Sequence, residues 1–156
     1  MFLVFFMCTN LLLMQDIYEC SVATFDFSEF PLVKIVCKKE QPNLKDVIEY
    51  KNLKNKVFKE INEAFIVLSD VSKIKWMDSE ARIEYGKCLK ESDEKYLHLF
   101  KTAYVVVPNI VVNIMLKGIN LVAKPRFRQV ICSSYDEAYK KAKSELKFMI
   151  DYQRVS

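Results

Sequence analysis

The sequence predicts a single-domain α/β protein, in which about four helices pack on a mixed, mostly parallel sheet of about five strands. Three observations lead to this prediction. A chain of 156 residues suits one hydrophobic core. Its residues are 51% hydrophobic, which is typical of a folded rather than a disordered chain. Strand-like and helix-like segments alternate in the order β-β-α-β-α-β-α-β-α, without an internal repeat.

Two strands open the predicted domain. The segment Thr24–Phe30 alternates between apolar and polar residues, with Phe25 and Phe27 on one side, and this period indicates a half-buried strand. After Pro31, the apolar segment Leu32–Lys38 predicts a second strand. Because proline cannot serve a central ladder, we expect the two to pair as a hairpin or as successive edge strands.

The first helix is expected to begin at Asn43, which can cap it, and Asp46 three residues later can complete a capping box. Its apolar stripe reaches Ile61 and drifts near Asn52–Asn55, where a break is one interpretation. The Lys- and Glu-rich side of this helix is expected to face solvent.

The segment Ala64–Tyr85 is the unit on which a site is expected. Ala64–Asp70 is short, apolar and rich in β-branched residues, which favours a strand buried on both faces. Asp78 and Ser79 are favoured helix-capping residues, and a helix follows them to about Ser92. Open α/β sheets place their functional surface at the carboxyl ends of strands, so we expect any site at this loop and helix start.

Two more strands and two more helices complete the domain. In chain order they are a β-prone strand within Leu97–Val107, a helix Ile110–Val122, a strand Phe127–Ser133 and a helix that ends near Asp151. Asn109 can cap the first of these helices, and Ser134 with Glu137 can form a capping box for the second. Residues 152–156 are expected to fray.

The helix Ile110–Val122 is apolar nearly all round, which indicates burial on more than one side. Packing within the core is one interpretation. A dimer face or a site for an apolar ligand is the other, and its candidate residues are Ile110, Ile114, Met115 and Ile119.

The sequence lacks the material for several kinds of site. The net charge is +4 and basic residues are scattered among acidic ones, so no nucleic-acid footprint is predicted. The two glycines, Gly86 and Gly118, lie inside predicted helices, which excludes glycine-rich phosphate loops and nucleophile elbows. The one histidine, His98, is expected to be a half-buried strand residue. We therefore predict a non-enzymatic protein without a metal or another cofactor.

Carboxylates and thiols also receive structural interpretations. Glu80, Glu84, Asp93 and Glu94 share a predicted helix with lysines and an arginine, and are expected to be surface charges. The five cysteines, at irregular spacing, are Cys8, Cys20, Cys37, Cys88 and Cys132. We expect them to be reduced and mostly buried, which favours a reducing compartment and a cytoplasmic protein.

Residues 1–14 form an apolar extension with no charge before Asp16. The extension is shorter than the ~20 apolar residues that span a bilayer. It lacks the basic region and the cleavage site of a signal peptide. We expect translation to start at Met14 and the domain to occupy residues 15–151. Membrane contact through residues 1–14 is the alternative.

The segment from Leu68 to Ser79, L-S-D-V-S-K-I-K-W-M-D-S, resembles the signature of STAS domains of the SpoIIAA type, the anti-sigma-factor antagonists. In that family a buried strand and a turn lead through a hydrophobic-Met-Asp-Ser sequence into a helix. A partner anti-sigma kinase phosphorylates the serine, and the position that matches it is Ser79. The antagonists continue with Ser-Gly, whereas Glu80-Ala81 follow in this chain.

Over a longer span, from Thr24 to Leu146, the chain is similar to a bacterial group of stand-alone SpoIIAA-like (STAS/SEC14-like) domains. The matching residues are S-E-A-R-I-E-Y at 79–85, Gly118 with Lys124-Pro125, and Asp136-Glu137-Ala138 with Leu146. The resemblance implies a STAS fold of the kind predicted above, and no common activity attaches to the group.

Two hypotheses for function follow. The first is a regulatory module that binds a protein partner, either an anti-sigma-type kinase or a second copy of the chain. Its contact residues would be Asp70, Ser72, Trp76, Asp78, Ser79 and Arg82, with Ser79 as the phosphoacceptor. By residue type alone, Ser79 is a helix cap. The second hypothesis is a carrier or sensor of an apolar small molecule or lipid.

Overall fold

The computed structural model describes residues 15–155, with side chains through Tyr152. The strands in this part of the chain are β1 (Ile17–Glu19), β2 (Ala23–Glu29), β3 (Leu32–Cys37), β4 (Phe65–Asp70), β5 (Phe100–Val106) and β6 (Arg128–Cys132). The helices are α1 (Leu44–Phe58), α2 (Ser79–Tyr96), α3 (Ile110–Ala123) and α4 (Tyr135–Val155). The apolar extension of residues 1–14, which includes Cys8, lies outside the described residues.

The six strands form one sheet whose order follows the chain, β1-β2-β3-β4-β5-β6. β1, β2 and β3 pair antiparallel, and β3, β4, β5 and β6 pair parallel. The predicted mixed sheet with about four helices is therefore confirmed. The sheet has one strand more than predicted, because the short β1 pairs with β2 ahead of the first predicted strand.

The two faces of the sheet are covered differently. Each parallel connection crosses over through one helix, and α1, α2 and α3 all pack on the same face, as right-handed crossovers between successive strands require. The core on that face includes Phe25, Val33, Phe65, Val67, Tyr50, Phe58, Cys88 and Met115. On the opposite face α4 is the one helix of the described residues that packs, and its residues Ala138, Ala142 and Leu146 cover Leu32, Ile66, Leu68 and Tyr104.

The helices begin at the caps that the sequence indicates. Asn43 Oδ1 accepts from the Asp46 amide and an Asp46 carboxylate oxygen accepts from the Asn43 amide, each at 3.0 Å, so the capping box is complete. Asn109 Oδ1 accepts from the Val112 amide at 3.0 Å. At α4, Ser134 Oγ accepts from the Glu137 amide at 3.2 Å.

One alternative left open by the sequence does not occur, and two local predictions are wrong. α1 is continuous, so the break considered near Asn52–Asn55 does not occur. His98 is an exposed turn residue rather than a half-buried strand residue, because α2 extends to Tyr96 and β5 begins only at Phe100. Asp93, expected to be a surface charge, is buried with 3% of its surface exposed. It accepts hydrogen bonds from the loop between α3 and β6.

Four cysteines lie among the described residues. Cys88 and Cys132 are buried, Cys20 and Cys37 are partly buried, and these four thiols are free. α4 continues to Val155, beyond the Asp151 end that the sequence indicates. Among residues 15–155, no helix is both long and apolar enough to cross a membrane.

Candidate functional site

The start of α2 is built on Asp78 and Ser79. Asp78 is the N-cap, since its Oδ1 accepts from the Ala81 amide at 2.8 Å. Ser79 is therefore the first helical residue and not the cap, which leaves its hydroxyl exposed at the N-terminus of the helix. Arg82 Nη2 donates to Ser79 Oγ at 3.2 Å, so a guanidinium group already lies beside this hydroxyl.

Arg82 connects Ser79 with the preceding loop. Its guanidinium carbon lies 5.4 Å from the centroid of the Trp76 ring, and its Nε donates to the Asp78 carbonyl at 3.4 Å. Trp76 is 50% exposed. The Trp76 amide donates to the carbonyl of Glu40 at 3.2 Å, which fixes the loop against the connection between β3 and α1.

The other two predicted contact residues form a turn of their own at the end of β4. The Ser72 amide donates to Asp70 Oδ1 at 2.9 Å. Ser72 is exposed and Asp70 is half-buried. Arg82 therefore contacts Trp76, Asp78 and Ser79, whereas Asp70 and Ser72 bond to each other in a separate turn.

A surface depression of about 140 Å³ lies between α2 and α3 and is lined by Ser79, Arg82, Ile83, Gly118 and Val122. A Cβ atom placed on Gly118 would meet no heavy atom within 4 Å, so this glycine leaves the depression open. The helices approach closely at Gly86, where a Cβ atom would lie 2.8 Å from Val122 Cβ. Ser79 thus borders a concave surface to which α3 contributes.

The candidate apolar residues of α3 divide between two environments. Ile110 and Ile114 are 73% and 61% exposed. Met115 and Ile119 are buried and line a cavity inside the protein. Two further residues, Leu121 on α3 and Ile83 on α2, are also exposed. One side of α3 is therefore core and the other is an exposed apolar surface.

The interior cavity has a volume of about 110 Å³ and lies between the sheet and the layer of helices α1, α2 and α3, and it is partly open to solvent. Most of its walls are apolar, and the apolar lining residues include Val67, Phe100, Val105, Phe58, Leu116 and Met115. The polar lining residues include Lys54, Ser69, Asp70, Ser92 and Gln129.

Lys54 is the residue at this cavity that sequence reasoning missed. It is 3% exposed, its ammonium group donates to the Cys88 carbonyl at 3.0 Å and to Ser92 Oγ, and burial lowers its pKa. A signal was available, because Lys54 lies four residues after Tyr50 and four before Phe58, on the apolar stripe rather than on the solvated side.

The comparisons with known proteins identify no family for this chain. A scan against protein-family models and a search of curated proteins each find no match to this chain. In the described part of the chain, no group of three or more His, Cys, Asp or Glu side chains is arranged to hold a metal ion. The function is therefore argued from the geometry of the two candidate sites, the surface around Ser79 and the interior cavity.

Proposed function

We propose that the chain is a non-enzymatic, cytoplasmic protein-interaction module of the STAS type. Its contact surface, the α2–α3 face, consists of Trp76, Ser79, Arg82 and Ile83 with the exposed side of α3. The observation that carries the proposal is the depression that joins Ser79 and Arg82 to α3. Four free cysteines among the described residues favour a reducing compartment.

The composition of the α2–α3 face is that of an interface. Exposed apolar groups that cluster and are rimmed by polar residues mark sites where a partner binds. Ile114 and Leu121, at 61% and 78% exposure, supply the apolar area. Trp76 and Arg82, which pack on each other, are the residue types that most often anchor a protein interface.

Ser79 is placed where a phosphate would change this surface. Backbone amides and the helix dipole at the N-terminus of α2 favour a negative charge. The Arg82 guanidinium, already bonded to Ser79 Oγ, would pair with a phosphate and turn toward it, away from Trp76. Phosphorylation would therefore add charge beside the apolar part of the face and weaken the binding of the partner.

The proposal is tested by site-specific photocrosslinking in the native host. The photoreactive amino acid p-benzoylphenylalanine replaces Ile114 on the α2–α3 face or, as the control, the exposed Ser144 on α4. We expect a specific protein adduct from position 114 and not from position 144. The yield should fall in the Ser79→Asp background and stay unchanged with Ser79→Ala.

The outcomes separate the surface from the switch. The same adducts from both positions would overturn the α2–α3 face as the contact surface. Equal yields with Ser79→Asp and Ser79→Ala would leave Ser79 as an ordinary first-turn residue. An adduct with a second copy of the chain would identify the partner as the protein itself.

A second candidate function, the binding of an apolar small molecule, is favoured by the interior cavity. Cavities with walls of this kind take up apolar molecules. Native mass spectrometry of the purified chain tests it, because a retained small-molecule adduct would support a carrier. A bare mass after incubation with apolar ligands would count against it.

A further inference from the structure

We propose that the interior cavity binds a small apolar carboxylic acid and that the Lys54 ammonium group pairs with the carboxylate of that ligand. The proposal rests on the second candidate function, ligand binding in the cavity. It adds the chemical class of the ligand and the residue that selects it.

The cavity suits the apolar part of such a ligand. Its volume is about 110 Å³. One water molecule needs about 10–15 Å³ of such space, which leaves room for roughly seven to eleven non-hydrogen atoms. The side chains of Phe58, Phe100, Leu116 and Met115 contribute apolar wall on both the sheet side and the helix side. An acid with a short alkyl chain or a single ring therefore fits the space.

Lys54 presents a positive charge at this wall, and no carboxylate of the described residues is in direct contact with it. Its two hydrogen-bond acceptors, the Cys88 carbonyl and Ser92 Oγ, are uncharged. Within residues 15–152 no carboxylate forms an ion pair with Lys54, and the neighbouring Glu91 pairs instead with Lys51 at 2.8 Å. An ammonium group carries three protons, so one N–H has no hydrogen-bond acceptor among the described residues, although the nitrogen also lies 5.9 Å from the centroid of the Tyr50 ring.

A carboxylate is the group that this arrangement lacks. An ammonium buried without an opposite charge is unfavourable, and the lowered pKa of Lys54 reflects that burial. A ligand carboxylate supplies the opposite charge, and its hydrogen bond to the ammonium is strengthened in a low-dielectric site. An alcohol of the same shape fills the same space but leaves the charge uncompensated.

Two tyrosines and one carboxylate line the cavity together with Lys54. Tyr50 and Tyr85 also line the cavity, and burial raises the pKa of both phenols, so that they stay protonated and able to donate. The other charged lining residue, Asp70, lies at the carboxyl end of β4 and accepts from the Ser72 amide. Among the described lining residues the cavity therefore has one cation, Lys54, and one carboxylate, Asp70.

The test compares octanoate with octan-1-ol by isothermal titration calorimetry of the full chain. Each has a similar number of non-hydrogen atoms and the same alkyl body. We expect octanoate to bind the wild-type protein about tenfold more tightly or better, which is what one hydrogen bond to a charged group provides. Lys54→Met, which keeps an unbranched side chain of similar shape without the charge, should remove this preference. Lys56→Met, an exposed position on the same helix, should retain it.

The outcomes separate the role of Lys54 from ligand binding in the cavity. If both ligands bind the wild-type protein equally, the role of Lys54 is overturned while ligand binding in the cavity stands. If neither binds at millimolar concentration, the cavity is not a ligand site and both claims fail. The comparison of acid with alcohol needs no variant, so it decides the matter even if Lys54→Met does not fold.

Discussion

The buried carboxylate of Asp93 on α2 binds Arg126 twice, through the backbone amide at 2.9 Å and through the guanidinium Nε at 2.7 Å. The oxygen that accepts from the Arg126 amide, Asp93 Oδ1, also accepts from the Phe127 amide at 3.1 Å. One side chain on α2 thus holds the turn through which the chain passes from α3 into β6.

We expect Asp93→Ala to lower the free energy of unfolding by about 2–3 kcal/mol, because two backbone amides of the loop lose their acceptor in a buried place. Urea denaturation measures the difference. The neighbouring, exposed Glu94→Ala is the matched control and should change stability by less than about 0.5 kcal/mol. Equal losses in the two variants would contradict the assigned role.

The contribution of Asp93 should also depend on pH. Burial alone would raise the pKa of the Asp93 carboxyl. The hydrogen bonds from Arg126 and Phe127, together with the guanidinium charge, outweigh this effect and lower the pKa. Because the folded state then binds fewer protons than the unfolded state, the stabilisation is present above the unfolded pKa of about 3.9 and is lost as pH falls below it. The difference in stability between wild type and Asp93→Asn should shrink between pH 6 and the acid limit of folding. A constant difference would show that the charge of Asp93 is irrelevant.

The two glycines should respond to alanine in opposite directions. Gly118→Ala is expected to raise stability by about 0.5–1 kcal/mol, since the helix gains a better helix former and the new Cβ meets no atom within 4 Å. Gly86→Ala should lower stability, because overpacking against Val122 costs about 1–3 kcal/mol and exceeds the gain in helix propensity. Thermal denaturation of both variants checks the signs. A stabilised Gly86→Ala would mean that the approach of α2 and α3 at this point is looser than the structure describes.

Lys54→Met should be at least as stable as the wild type at pH 7, with a gain of up to about 2 kcal/mol, because it removes a buried charge that no carboxylate of the described residues contacts directly. Burial lowers the pKa of Lys54, an effect that the Glu91 carboxylate opposes and the Lys51 ammonium reinforces. The unfolded state therefore binds more protons than the folded state, and wild-type stability from this group rises with pH towards the unfolded pKa of about 10.4. The gap between the variant and the wild type should narrow from pH 7 to pH 10 in urea denaturation. A gap that does not vary with pH would show that Lys54 keeps its ordinary pKa in the folded protein.

Much of the fold was predictable because its signals are local. The caps Asn43 and Asn109 act on amides three residues away, and the alternation around Phe25 is visible within one strand. β1 escaped prediction because three residues carry too little periodicity to distinguish a strand from a loop.

The candidate site was predictable only in part, for a physical reason. The helix start at Ser79 and the exposed Trp76 follow from local sequence, whereas the depression depends on how closely α2 and α3 approach at Gly86. The environment of Lys54 likewise depends on the spacing between the helix layer and the sheet. Periodicity tells which side of a helix is buried and does not tell how tightly that side is packed.

The two faces of the sheet are covered by different helices, and this difference has a consequence during translation. Translation completes β3 to β6 and their three crossover helices before α4 emerges from the ribosome, since α4 is the last element of the fold. Until then, no other helix of the described residues covers the face that carries Leu32, Ile66, Leu68 and Tyr104. The nascent chain thus passes through a stage with one finished layer and one open apolar face, and a chain that stops short of α4 would expose that face to other unfinished chains.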